Sequence, residues 1–181
     1  YLITLFFLLA LTNLQAQFKF DIDNASATYV TGINDTTSIV GYCVIDGTTC
    51  GFYFNGVDTL LVKPSNINGA VAVWLGGINN HELAAGHYSD GTNIKPFMFN
   101  PSNGNVTFPY SNVLPISSNL KVHGINDNNI ICGDYANGLD RKIWMEGPSL
   151  AFGAYQYYTT SGGFTKYPTY GGYGISNDNR V

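Results

Sequence analysis

The tetrapeptide Gly32-Ile33-Asn34-Asp35 recurs as Gly77-Ile78-Asn79-Asn80, as Gly124-Ile125-Asn126-Asp127 and as Gly174-Ile175-Ser176-Asn177, at intervals of 45, 47 and 50 residues. Each of the first three copies is followed nine residues after its glycine by another glycine: Gly41, Gly86 and Gly133. A double register kept over three copies means one structural unit repeated about three and a half times. This constrains the fold more than any single motif. A unit this short cannot bury its apolar residues alone and must lie against its copies.

Within a unit the pattern reads as four strands, a to d. In the first, strand a runs from Ala27 into Gly32-Ile33, Asn34–Thr37 turn, Ser38–Val44 is b, Gly51–Phe54 is c, and Asp58–Lys63 is d, stopped by Pro64. The second repeats this with a at Val71–Ile78, b at Leu83–Tyr88, c at Pro96–Phe99 and d at Asn105–Phe108. In the third, a is Leu120–Ile125 and b is Ile130–Tyr135. Its strand c has two alignments. Ala154–Tyr157 preserves the aromatic c strand and the Gly turn after it, with an insertion at about 136–153; the competing one uses Ile143-Trp144-Met145. The first fits better. The repeats span roughly 27–64, 70–109, 120–168 and 173–181, the last incomplete. The recurring glycines allow positive φ, a bulge or close approach of the next unit. The Asn and Asp residues after them satisfy turn amides.

Four short antiparallel strands per 40–50 residues match a β-propeller blade. The expected fold is all-β: a partial propeller of about three blades plus the start of a fourth, an open arc over 17–181. Ahead of it, Leu2–Leu11 is an apolar run of roughly 10 residues leading to Ala16, too short to span a bilayer and patterned as a secretory signal peptide. Residues 1–16 are therefore expected to be removed, with secretion as the address and no membrane contact afterwards. The alternation in Phe18–Asp23 predicts an outer strand that completes the last blade of a longer parent chain carrying the remaining blades. Charged residues make up 11% and the net charge is −4, which excludes a nucleic-acid surface built from clustered Lys and Arg.

The stretch Gly32-Ile33-Asn34-Asp35-x-x-x-Ile39-Val40-Gly41, followed by an aromatic c strand and a Gly turn, resembles the Gly-Ile-Asn-Asp-x-x-x-Val-Val-Gly pattern of the HAF-type extracellular repeat family, a resemblance that covers about residues 27–181. The family's His-Ala-Phe triplet is replaced here by Cys50-Gly51-Phe52, Lys95-Pro96-Phe97 and Gly153-Ala154-Tyr155. The resemblance implies a bacterial secreted propeller and carries no catalytic residue to transfer.

Few residues suggest chemistry. Cys43 and Cys50 flank a turn containing Asp46-Gly47 and predict a cross-strand disulfide in an exported protein. Cys132 occupies the repeat position of Val40 and Ala85 and reads as a small core residue. His81, His87 and His123 have no metal-ligand spacing, so neither metal nor cofactor is expected. No Gly-x-Ser-x-Gly elbow or acid–base set points to catalysis. Candidate ligand contacts are Arg141 and Trp144 in the insertion, with Tyr88 and Tyr135 as stacking rings. The residues Gly32, Asn34, Gly41, Gly77, Asn79, Gly86, Gly124, Asn126, Gly133 and Gly174 are structural. The expected function is a non-enzymatic module for protein or glycan interaction. The alternative is an accessory propeller of an extracellular carbohydrate-active or other hydrolytic enzyme.

Overall fold

The computed structural model describes residues 20–108, 120–137, 140–146, 158–159, 175 and 177–178. It is all-β, apart from one 3-10 turn at Pro64–Asn66. Strands β1 (Ala27–Ile33), β2 (Ile39–Ile45), β3 (Thr48–Phe54) and β4 (Thr59–Val62) form one antiparallel meander. A second contains β5 (Ala72–Ile78), β6 (Ala84–Ser89), β7 (Ile94–Asn100) and β8 (Asn105–Thr107). The third contains β9 (Lys121–Ile125), β10 (Ile131–Asn137), β11 (Asp140–Glu146) and β12 (Tyr158–Thr159). Three successive sheets thus follow the sequence period, each with its strands in chain order.

The sheets lie face to face. β5 packs on β1, β2 and β3, and β9 packs on β5, β6 and β7. Between the first two sheets, Val40 and Tyr53 meet Val73, Leu75, Ile78 and Phe97. Between the second and third, Ala85 meets Leu120, Val122 and Ile125. One contact recurs three times. The residue before each strand-b glycine packs in the cluster that holds the isoleucine of the next Gly-Ile: Val40 with Ile78, Ala85 with Ile125, and Cys132 with Ile175. Cys132 is fully buried there, the small core residue its register predicts.

The glycines serve close approach, not unusual backbone angles. A Cβ on Gly32 would sit 3.1 Å from the Cα of Gly77, and one on Gly77 would sit 2.9 Å from the Cα of Gly124. On Gly41 or Gly86 it would strike the carbonyl of Tyr29 or Trp74 at 2.0 or 2.2 Å. The left-handed residue of each a–b turn is instead five positions after the first glycine: Thr37, Glu82 and Asn129, at φ 67°, 61° and 59°. The inner strands also share a β-bulge, between Val30 and Gly32, Leu75 and Gly77, and Val122 and Gly124.

Two expectations are corrected. Strand c of the third unit is β11, paired along β10 from Ile131↔Glu146 to Asn137↔Asp140, so the inserted residues follow it instead of preceding it. The register gives the reason: Phe52, Phe97 and Trp144 each lie opposite the strand-b glycine of their own unit. Ala154–Tyr157 lies outside the described residues. The segment from Phe20 forms no strand either. Asn24 turns it at φ 62°, and Asp21 holds the Thr28 hydroxyl at 2.6 Å. Phe20 and Ile22 instead cover Phe52, Cys43 and Cys50 on the outer part of the first sheet.

Candidate functional site

Each bulge sets which side chains oppose one another across the inner pair of strands. The residue after the strand-b glycine faces the residue three before the strand-a glycine. That rung is Tyr29↔Tyr42 in the first sheet, Trp74↔His87 in the second and Lys121↔Asp134 in the third. The aromatic rungs are stacked, at 4.7 Å and 20° for Tyr29 on Tyr42 and at 5.1 Å and 14° for Trp74 on His87. The neighbouring strand-a positions repeat apolar for apolar, as Val30, Leu75 and Val122 and as Ile33, Ile78 and Ile125. This rung changes chemistry from sheet to sheet, as a binding surface does and a packing position does not.

The rungs border a cavity of about 500 Å³, lined by Thr31, Tyr42, Trp74, His87, Ile94, Lys121 and His123 among others. That size suits a small ligand or one or two sugar rings. Its polar groups are fixed. Nδ1 of His87 accepts the amide of Val122 at 3.2 Å, so the proton of the neutral ring is on Nε2. Burial, with the positive charges of His123 and Lys121, pushes the His87 pKa down to about 3, against an opposing pull from Asp134. His87 is therefore a neutral donor at physiological pH. His123 Nε2 lies 3.1 Å from Oδ2 of Asp134, whose side chain is only 5% exposed. The Thr31 hydroxyl is spent on the Leu75 carbonyl at 2.8 Å.

At the opposite end of the inner strands the Gly-Ile-Asn turns form a second row. Oδ1 of each asparagine closes its own turn: Asn34 on the amide of Ser38, Asn79 on those of His81 and Leu83, Asn126 on those of Asn128 and Ile130. Nδ2 reaches the following unit. Asn34 donates to the Asn79 carbonyl at 3.1 Å, and Asn79 to the Asn126 carbonyl at 3.0 Å. One residue further on, Asp35, Asn80, Asp127 and Asn177 form a ladder in which each backbone amide donates to the next side chain, at 3.0, 2.8 and 2.9 Å. Glu82 joins the first two sheets, accepting from Asn34, Thr36, Ser38 and Tyr53. Burial works to raise the Glu82 pKa, but those four hydrogen bonds together hold it below the usual carboxylate range.

Of the candidate contacts named from sequence, Tyr88 is not among the residues that line this cavity. Tyr88 is 7% exposed and packs edge-on against Phe97 and Phe108 between the sheets. Arg141 and Trp144 lie within β11, not on a loop, and Tyr135 lies within β10, the strand b of its sequence reading; the side chains of all three are outside the described residues. Cys43 and Cys50 are register partners, the arrangement a cross-strand bridge needs, and both are buried free thiols in this structure. Burial and then the neighbouring Cys50 push the Cys43 pKa up to about 11. Among the described residues no three His, Cys, Asp or Glu side chains gather as a metal site. The cavity residues Tyr42, Trp74, His87, Lys121 and His123 were not singled out as binding residues in the sequence, because their adjacency depends on the bulge. The chain matches no family model, no curated protein and no solved structure.

Proposed function

We propose that this chain is a secreted, non-enzymatic module of the β-propeller type, akin to the HAF-type extracellular repeats, and that it binds a glycan at the Trp74–His87 cavity. Three meanders stacked in chain order, with their first strands side by side and their turns in one row, are what consecutive propeller blades require. The observation that carries the ligand reading is the stacked Trp74–His87 rung and Tyr42, itself stacked on Tyr29, lining a cavity with donors in His87 and Lys121. Sugar rings present C–H faces to aromatic rings and hydroxyls to such donors. The test is a glycan array on the full chain, with Trp74→Ala and Trp74→Phe compared. A set of bound glycans lost in Trp74→Ala and retained in Trp74→Phe is expected. Binding unchanged by Trp74→Ala would remove this cavity as the site, and a blank array would remove the glycan.

A further inference from the structure

The side chains around the Trp74–His87 cavity are rich in hydrogen-bond donors and poor in acceptors. The Val122 amide donates to Nδ1 of His87, which leaves the proton on Nε2, and among the described residues no acceptor takes it. That same bond sets the backbone beside Lys121 against the His87 ring. The Trp74 indole N–H has no acceptor among the described residues either, and the exposed Lys121 ammonium has no carboxylate there.

Against these three donors, the described lining residues include no carboxylate and no carboxamide. The Thr31 hydroxyl is occupied by the carbonyls of Leu75 and Val40, at 2.8 and 3.2 Å. His123 is engaged with Asp134, which is buried and is not among the residues lining the cavity. The Tyr42 hydroxyl can donate or accept.

That balance discriminates between sugars. A neutral sugar binds through hydroxyls, and each needs an acceptor for its own proton as well as a donor for its oxygen. A wall without carboxylates or carboxamides serves the oxygens and leaves the protons short of partners, which costs affinity. An ionised acid group has no proton to place and accepts from every donor its oxygens reach. Its charge also strengthens each bond it receives, and Lys121 carries the opposite charge.

Resting on the glycan reading of this cavity, we propose that the ligand is an acidic glycan, a uronate or a sulfated sugar. Its acid group accepts from Lys121 and from Nε2–H of His87, while the sugar ring stacks on Trp74.

Calorimetric titration of the full chain tests this with a uronate oligosaccharide and a sulfated one, each compared with the same chain methyl-esterified or desulfated. At least one acidic probe should bind about tenfold more tightly than its neutral counterpart, the effect of one charge-assisted bond, and added salt should weaken it. The tighter of the two acidic probes identifies the acid group. Lys121→Gln should abolish the preference and Lys121→Arg should keep it; Lys121 is exposed, so both variants keep the fold, which circular dichroism checks. Equal affinity for acidic and neutral probes overturns the proposal, as does a preference that Lys121→Gln leaves intact. In either case, binding lost in Trp74→Ala would still keep the cavity as a glycan site. No binding of any probe, with a blank glycan array, would remove the glycan reading and this proposal with it.

Discussion

Asn79 shows why the third position of the turn is an asparagine. Its oxygen serves two amides of its own turn, and its nitrogen serves the Asn126 carbonyl and Oδ1 of Asn129 in the next unit, all at 3% exposure. Aspartate would keep the first pair and turn a second acceptor on two acceptors. Asn79→Asp should then cost about 2–4 kcal/mol, the penalty of leaving buried polar groups unpaired. Urea denaturation followed by tryptophan fluorescence reads this, and a loss below about 1 kcal/mol would show that the inter-sheet bond matters little. The turn half of this role was legible in the sequence, since Asn after Gly-Ile closes an Asx turn. The half that reaches across sheets was not, because it depends on how far apart the units sit.

At the scale of the element, the bulge beside each inner glycine decides both packing and site. It lets Thr31, Gly76 and His123 drop out of the pairing, so Trp74 meets His87 and Lys121 meets Asp134. The strands of the first two units are close to their sequence readings because the period repeats cleanly there. Strand c of the third unit departs from its sequence reading because the aromatic run at Ala154–Tyr157 resembles the earlier c strands more closely than Ile143-Trp144-Met145 does. Pairing instead follows the spacing from the strand-b glycine: Trp144 lies opposite Gly133, as Phe52 and Phe97 lie opposite Gly41 and Gly86. The Trp74–His87 rung also has a pH consequence. The His87 pKa is about 3 in the folded chain against an ordinary value near 6.5, so between those values the unfolded chain binds more protons. Stability is therefore full above about pH 6.5 and falls as pH drops toward 3, by up to about 1.4 kcal/mol per pH unit. Below the ordinary carboxylate pKa, Glu82 adds a loss of the same sign, because its folded value is depressed. Urea midpoints at pH 7 and pH 5 should differ in the native chain and converge in His87→Gln. Equal midpoints in the native chain would mean that His87 protonates freely in the fold.

For the whole molecule, the account depends on one relation: each unit buries the Gly-Ile of the unit after it. The all-β class and the sheet sequence could be read from the period alone, since a unit apolar on both faces has to lie against its copies. Which face of which sheet stays open could not, and it appears only as the contrast between Ile33 and its two equivalents. Single substitutions Ile33→Cys, Ile78→Cys and Ile125→Cys, labelled with a maleimide in dilute native solution, measure that contrast directly. The thiol introduced at position 33 should react at nearly the rate of an unfolded chain, and those at 78 and 125 should be protected by at least about a hundredfold, as expected for groups that open only by sub-global unfolding. Three similar rates would contradict the stacking of the units and the account built on it.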